Sequence, residues 1–423
     1  MKRPRNLVLG LLAAPTLVVA CGARTGLGGQ EDAAQKDASA EEDALPPVQD
    51  VSVEPSVPDV DQPEIAVHDA GAPVPLIAVG FMRSCVVRAN GGVRCWGYLG
   101  DGTDTWALTA ADVPGFGGPV VQLDIGYSAT CVRLQSEDVQ CVGTQPFVVP
   151  GGGSSVPVTV PGLAEGTLDI SVGTGHACVV VSGGGVKCWG LNNDGSLGTN
   201  SYAHSAVPAD VKGLAEGAIA VTAKASFSCA LLASGRVQCW GTGTSGQLGN
   251  GTTDGTVQAS SIVPGIVGAT AITNGMSHAC VLTAAGGVKC WGDGEFGQLG
   301  NGVFYKAAPL GSLTPVDVIG LAGPVKAIRA GEFSTCAHLA NGGVQCWGKN
   351  AYGGLGDGTM LDRGVPTGVS GLGSVEGVGA SYARGCVLLS NGGAKCWGIW
   401  ALGNATTAKD PPSFTPVDVL GLP

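Results

Sequence analysis

Cysteine is the residue with the most regular spacing in this chain. Fourteen of the 15 cysteines fall into seven pairs whose members lie ten positions apart. Such pairs are suited to either disulfide formation or zinc ligation. Nine intervening residues without regular histidine partners do not match the spacing of zinc ligands. We therefore expect seven disulfides and no metal site, with the pairs Cys85 and Cys95, Cys131 and Cys141, Cys178 and Cys188, Cys229 and Cys239, Cys280 and Cys290, Cys336 and Cys346, and Cys386 and Cys396.

The other reactive side chains do not form a catalytic motif. The sequence contains no Gly-x-Ser-x-Gly, no His-Glu-x-x-His and no Gly-Lys-Ser/Thr phosphate loop. His176 and His278 both lie two residues before the first cysteine of a pair, and we interpret them as structural loop residues. Asp101-Gly102 and similar pairs lack the alternating acidic ligands of a calcium loop and indicate turns. We predict a protein that is not an enzyme and has no cofactor.

The residues between paired cysteines predict β-hairpins. Apolar runs flank a glycine-rich centre, as in Asn90-Gly91-Gly92 and Asn341-Gly342-Gly343. This pattern is typical of a three-residue loop with a glycine bulge, which brings the two cysteines opposite each other. Each disulfide would close an 11-residue loop and contribute roughly 2.5 to 3 kcal/mol in the chain-entropy model. Such bonds require an oxidising compartment.

The cysteine pairs belong to a longer repeat. First cysteines follow one another at intervals of 46, 47, 51, 51, 56 and 50 residues. Trp-Gly follows the second cysteine in six copies, whereas copy two has Val142-Gly143. A glycine-rich turn comes next, as in Gly246-Gln247-Leu248-Gly249, and then a closing strand such as Thr314-Pro315-Val316-Asp317-Val318. This length and order predict a four-stranded propeller blade.

These motifs resemble the repeats of the regulator of chromosome condensation family, over about residues 74 to 423. The resemblance implies an all-β fold, a seven-bladed β-propeller in which neighbouring blades bury both faces of each sheet. The founding member of that family is a nucleotide exchange factor on chromatin. An export signal, paired cysteines and an acidic balance argue against that role here. We therefore carry over the fold and not the activity.

Residues 1–20 resemble a lipoprotein signal peptide. Lys2, Arg3 and Arg5 precede an apolar run that is too short to span a membrane. Residues 17–21, Leu-Val-Val-Ala-Cys, resemble the lipobox of bacterial lipoproteins, which implies lipidation of Cys21. We expect a lipoprotein of a Gram-negative cell envelope, at the outer membrane or the cell surface. The alternative is an ordinary cleaved signal.

Residues 21–73 predict an acidic, disordered linker. Gly22 to Pro73 contains twelve Asp or Glu, two Lys or Arg and no aromatic residue, which is too little apolar surface to fold alone. The chain has a net charge of −11, of which the linker holds −10 and residues 1–20 hold +3, leaving −4 for residues 74–423. A weakly acidic domain without a basic stripe is not suited to nucleic acid.

The residues before each first cysteine vary between copies, whereas Cys, Trp, Gly and Leu repeat. Equivalent loops gather on one rim of a propeller, and aromatic, Met and Arg side chains are enriched at binding hot spots. We predict that a monomeric domain binds an envelope or extracellular protein or glycan there. The alternative is an enzyme such as a polysaccharide lyase, with its site at the mouth of the central channel. The predicted anchors are Phe81, Tyr127, Phe333, Tyr382 and Arg384.

Overall fold

The computed structural model describes residues 76–98, 106–259, 262–407 and 410–423. The predicted signal peptide, the lipidation of Cys21 and the linker lie outside these residues. The described chain consists of β-strands and one short 3-10 turn, Pro150–Gly152. In chain order the strands are β1 (Leu76–Val79), β2 (Arg83–Val87), β3 (Val93–Tyr98), β4 (Trp106–Val113), β5 (Val120–Ile125), β6 (Ala129–Leu134), β7 (Val139–Gly143), β8 (Ser154–Thr159), β9 (Thr167–Val172), β10 (His176–Val181), β11 (Val186–Gly190), β12 (Ser205–Asp210), β13 (Ala218–Lys224), β14 (Phe227–Leu232), β15 (Val237–Gly241), β16 (Ala269–Asn274), β17 (His278–Thr283), β18 (Val288–Asp293), β19 (Gly311–Asp317), β20 (Val325–Ala330), β21 (Ser334–Leu339), β22 (Val344–Gly348), β23 (Arg363–Gly368), β24 (Val375–Ser381), β25 (Arg384–Leu389), β26 (Ala394–Gly398) and β27 (Ser413–Asp418).

These strands form seven antiparallel sheets, each built from consecutive strands. Six sheets have four strands. The fourth sheet has β13 to β15, and isolated bridges at Thr256 and Ile262 mark where its outer strand would pair. The first strand of each sheet lies against the first strands of its neighbours, and β1 packs on β24 to close the ring. The seven-bladed β-propeller expected from the repeats is confirmed.

The second and third strands of every blade form the disulfide-bonded hairpin that the cysteine spacing predicted. Cys85 lies directly opposite Cys95 in the register of β2 and β3. In all seven copies the paired cysteines are joined by a disulfide, with Cα atoms 4.0 to 4.1 Å apart. The pairing within copies is confirmed for all fourteen cysteines.

The turn of each hairpin has the expected glycine bulge. In the first blade the Gly91 amide donates to the Arg88 carbonyl, and the Arg88 amide donates to Gly92, both at 2.8 Å. Gly91 has a φ of +76°, a left-handed conformation that a residue without Cβ adopts at little cost. In the second blade a non-glycine residue, Glu137, takes this position with a φ of +68°.

Seven apolar clusters of described residues fill the spaces between adjacent blades. All six residues of β10 are buried, whereas most of the outer strand β12 is partly or fully exposed. Inner strands are covered on both faces, so their side chains do not alternate between apolar and polar. One cluster joins Val79 and Trp96 of the first blade to Leu402 and Val419 of the last blade.

The repeated tryptophan ties five of the seven blades to the blade before them. Trp240 is fully buried, and its indole Nε1 donates to the Ser196 carbonyl in the preceding blade's glycine-rich turn, at 2.9 Å. A Cβ at Gly198 would lie 2.8 Å from that indole nitrogen, so this turn requires glycine. Equivalent bonds are made by Trp189, Trp291, Trp347 and Trp397.

Alternating strand direction gives the propeller two different faces. The loop face carries the connections between first and second strands, such as residues 80–82, and between third and fourth strands. The hairpin face carries the turns between second and third strands, such as residues 88–92. Leu76 begins β1 at the hairpin face, and Pro423 lies beside Gly393 in the last hairpin turn there. Among described residues, no helix is long and apolar enough to cross a membrane.

Candidate partner-binding face

Tight turns present the predicted aromatic residues on the loop face. The Gly80 amide donates to the Arg83 carbonyl at 2.8 Å, which leaves Phe81 and Met82 at the tip of a two-residue turn. The equivalent bond from Gly126 presents Tyr127, which is 50% exposed. The loops are shorter than expected, because the second strands already begin two residues before each first cysteine.

Four of the five predicted anchors meet in one network of rings. The Phe81 ring centroid lies 5.1 Å from that of Tyr127 and 5.6 Å from that of Tyr382. Tyr382 lies 6.0 Å from Phe333. These contacts connect blades 6, 7, 1 and 2 across the loop face. The structure thus brings these four side chains together, while their role in binding stays a prediction.

Three further rings, which the sequence analysis missed, extend this network. Phe296 lies 5.6 Å from Phe333, Tyr352 lies 6.4 Å from Tyr382, and Trp400 lies 5.0 Å from Phe81. All three belong to connections between third and fourth strands. These rings could have been predicted from their positions shortly after Trp-Gly. The third strand ends there, and strand direction places the connection that follows it on the loop face. We call the seven rings the aromatic network: Phe81, Tyr127, Phe296, Phe333, Tyr352, Tyr382 and Trp400.

A shortened turn brings Trp400 into the aromatic network. In blades 3 to 6, the Leu-Gly glycine of the glycine-rich turn lies eight positions after the glycine of Trp-Gly. In blade 7 the offset, from Gly398 to Gly403, is only five positions. Trp400 and Ala401 take positive φ values of 58° and 32°. Non-glycine residues in this conformation are uncommon and concentrate at functional sites. The same turn provides no acceptor for the buried Nε1 of Trp96.

Arg384 does not reach the surface, which corrects its assignment as a partner anchor. Only 2% of the residue is exposed, because it lies in β25 rather than in the preceding loop. Its Nη1 donates to the Trp400 carbonyl and its Nη2 to the Gly80 carbonyl, both at 2.9 Å. Burial lowers the pKa of Arg384 from its usual range to about 10. This guanidinium positions the backbone beneath Phe81 and Trp400.

His176 and His278 also begin buried strands, so they are structural residues but do not lie in loops. His176 Nε2 lies 2.8 Å from the Ser228 hydroxyl of the next blade, and that hydroxyl donates to the Ser196 carbonyl. Nε2 is therefore the donor to Ser228. Burial lowers the pKa of His176 to about 4, and burial together with the nearby charge of Lys224 lowers that of His278 to about 3. Both imidazoles are neutral at pH 7.

The mouth of the central channel on the loop face is a shallow recess. Gly80, Gly126 and Gly173 contribute its backbone walls, and Lys224 and Glu332 bring opposite charges to its edge. Tyr127 also lines it, but no described His or Arg does. Among the residues that the structure describes, no three His, Cys, Asp or Glu side chains converge to hold a metal ion.

The architecture defines a seven-bladed β-propeller with a disulfide in every blade. A family model for the regulator of chromosome condensation (RCC1) repeat matches residues 168–196, 218–247, 272–298 and 325–353. Each match runs from the innermost strand of a blade to the turn after Trp-Gly. Four blades of this propeller, the third to the sixth, therefore contain RCC1 repeats.

Curated relatives match about half of the chain. The ultraviolet-B receptor UVR8 of Arabidopsis thaliana is 33% identical over 211 residues, which are 49% of this chain and 47% of the receptor. The human E3 ubiquitin-protein ligase HERC2 is 31% identical over 210 residues, which are 48% of this chain and 4% of the ligase. The chain spans less than half the length of either relative.

Solved structures share the fold over more of the chain. Yeast RCC1 (Prp20), in a structure with Kap60 bound, superposes with a TM-score of 0.70 at 16% identity, over 89% of this chain and 91% of that one. Human WBSCR16 gives 0.65 at 20% identity, over 74% and 84% of the two chains. Identities this low show a common fold alone.

Proposed function

We propose that this propeller is a binding module of the cell envelope that holds a partner protein against the aromatic network. The observation that carries the proposal is the continuous contact of seven rings across one face. The chain has 22 aromatic residues, six of which are the buried Trp-Gly tryptophans, so seven of the other 16 lie in this one network. Tyrosine and tryptophan are enriched at binding hot spots.

Structures of similar fold support a protein partner. One is that of yeast RCC1 with Kap60 bound, and another, of Prp20p, is described together with its binding to Gsp1p and histones. We infer that this chain also binds a protein, and that it does so through the face that carries the aromatic network. Seven disulfides favour an oxidising compartment, which supports export and an anchor at Cys21.

Site-specific photo-crosslinking in the native envelope tests this function. A crosslinker at Tyr127, on the loop face, should capture a discrete protein, whereas one at the exposed Ala89, on the hairpin face of the adjacent blade, should not. Alanine substitutions of Phe81, Phe333 and Tyr382 should then each weaken binding by about 1 kcal/mol or more.

Three outcomes contradict the proposal. Capture only from Ala89 would place the interface on the hairpin face. Capture of a glycan from Tyr127 would replace the protein partner with a carbohydrate. Unchanged affinity in the alanine variants would exclude the aromatic network as the contact surface.

A further inference from the structure

Two lysines of the loop face stand beside aromatic rings. Lys349 follows Trp347-Gly348, and its Nζ lies 4.4 Å from the ring centroid of Phe296, 4.8 Å from that of Phe333 and 5.9 Å from that of Tyr382. A single ammonium group thus contacts rings of blades 5, 6 and 7. Contacts of this kind are favourable because the face of an aromatic ring is electron-rich.

A second ammonium group shares one of these rings. Lys306 Nζ lies 5.4 Å from the Phe296 centroid and 5.9 Å from that of Phe304, and it donates to the Glu295 carbonyl at 2.7 Å. The Lys306 and Lys349 ammonium groups therefore lie within about one Debye length of each other, roughly 10 Å at 0.1 M salt. Their mutual repulsion is not fully screened and would be relieved by an anion bound beside Phe296.

Lysines on the third strands, near the hairpin face, are arranged differently. Lys187, Lys289 and Lys395 each form an ion pair with an aspartate of the neighbouring outer strand, at 2.7 to 2.9 Å. Within the described part of the chain, neither Lys306 nor Lys349 has a carboxylate oxygen within 4 Å. The three third-strand lysines are therefore ion-paired, whereas Lys306 and Lys349 are not, and the carboxylate of Asp293 acts on Lys306 only from beyond ion-pair distance.

We propose that Lys306, Lys349 and Phe296 form a carboxylate subsite of the aromatic network, and that the partner presents an acidic peptide segment to it. An Asp or Glu side chain would accept charge-assisted hydrogen bonds from one or both ammonium groups. Apolar side chains next to it in the peptide would pack on Phe333 and Tyr382. This inference rests on the proposed function and specifies the chemistry of its partner.

The composition of the subsite favours a peptide over an acidic polysaccharide. The rings around the two ammonium groups are mainly phenylalanines, Phe296, Phe304 and Phe333, which offer no hydrogen-bonding group to sugar hydroxyls. A polar ligand group that is desolvated without a partner weakens binding. A peptide that alternates acidic and apolar side chains matches both the charges and the rings.

Calorimetric titration of the full mature chain with defined probes tests the subsite. The probes are capped peptides of alternating Glu and Phe, matched peptides of Gln and Phe, and polygalacturonate. The Glu peptide should bind at least about tenfold more tightly than the Gln peptide, and added salt should reduce the difference. Lys349→Met should remove most of this preference, whereas Lys289→Met, in β18 near the hairpin face, should retain it. Circular dichroism and intact disulfides establish that both variants are folded.

Other results would overturn the inference. Equal binding of the Glu and Gln peptides, or an equal loss in the two lysine variants, would exclude a carboxylate subsite. Polygalacturonate binding that depends on Lys349, without peptide binding, would assign the subsite to an acidic glycan. If a crosslinked partner requires Phe81 and Tyr382 but binds equally well after Lys349→Met, the proposed function stands and the subsite is wrong.

Discussion

Arg384 and Trp400 are joined by a hydrogen bond of 2.9 Å from the guanidinium Nη1 to the main-chain carbonyl. The other terminal nitrogen of Arg384 holds the Gly80 carbonyl of the first blade at the same distance. One buried side chain thus fixes two backbone segments that carry rings of the aromatic network, and it does so where the last blade meets the first.

Replacing this arginine should destabilise the closed ring. Arg384→Met leaves two buried carbonyls without donors, and we expect the free energy of unfolding to fall by about 2 to 3 kcal/mol. Denaturant unfolding with the disulfides intact measures the change. The matched control is Arg329→Met, since Arg329 is exposed, and it should change stability by no more than about 0.5 kcal/mol. Similar effects in the two variants would argue against a structural role for Arg384.

The tryptophans should differ in the contribution of their indole nitrogens. Trp240→Phe loses the bond to the Ser196 carbonyl, whereas the Nε1 of Trp96 has no acceptor in the described chain. Both substitutions remove a similar area of buried ring, so that contribution cancels in the comparison. Only Trp240→Phe also loses a hydrogen bond, and we therefore expect it to be more destabilising than Trp96→Phe by about 1 kcal/mol. Thermal unfolding of the two variants makes the comparison. A greater loss in Trp96→Phe would show that this indole has an acceptor after all.

Glycine should be preferred at position 137. Glu137 has a φ of +68° where other hairpin turns have glycine. Glu137→Gly should therefore raise the free energy of unfolding by about 0.5 to 1 kcal/mol. Ser136→Gly, one position earlier and without a positive φ, should lower it by a similar amount, since glycine adds freedom to the unfolded chain. Equal shifts of the unfolding midpoint in both variants would contradict this reasoning.

Acid should weaken the propeller through its buried histidines. Burial lowers the folded-state pKa of His176 to about 4 and that of His278 to about 3 from 6.5. The unfolded state therefore binds more protons below pH 6.5, and stability is lost as pH falls from there towards these folded values. At pH 5 each histidine should cost about 2 kcal/mol relative to pH 7.5.

Stability curves between pH 7.5 and pH 4 check this expectation. His176→Gln should have a shallower slope than the wild type, because the amide does not titrate. A wild-type curve that is flat over this interval would show that the imidazoles are hydrated in the folded state.

The sequence predicted the ring of blades because each blade repeats local signals. The spacing of Cys85 and Cys95 requires one hairpin register, and Gly91 supplies its turn. The burial of Arg384 was not predictable in this way. The burial of Arg384 depends on where β25 begins and on the inward orientation of the Trp400 carbonyl in the turn after β26. Neither feature is encoded by the residues around position 384 alone.

Four of the seven rings of the aromatic network were predictable for the same reason. Phe81 and Tyr382 occupy equivalent positions in their copies, so comparison of the copies pointed to them. Phe296 and Trp400 lie in connections of different length, with 17 residues between β18 and β19 but 14 between β26 and β27. Trp400 contacts Phe81 because ring closure brings the last blade beside the first, although the two residues are far apart in the chain.

The position of both described chain ends at the hairpin face determines how the molecule can be displayed. Leu76 and Pro423 lie on the side away from Phe81. A support, a fluorophore or a fused domain attached through either end would therefore leave the rings facing solution, and a layer of such molecules would present them all outward. An attachment made directly at Leu76 or Pro423 would thus turn the aromatic network away from the surface that carries the propeller.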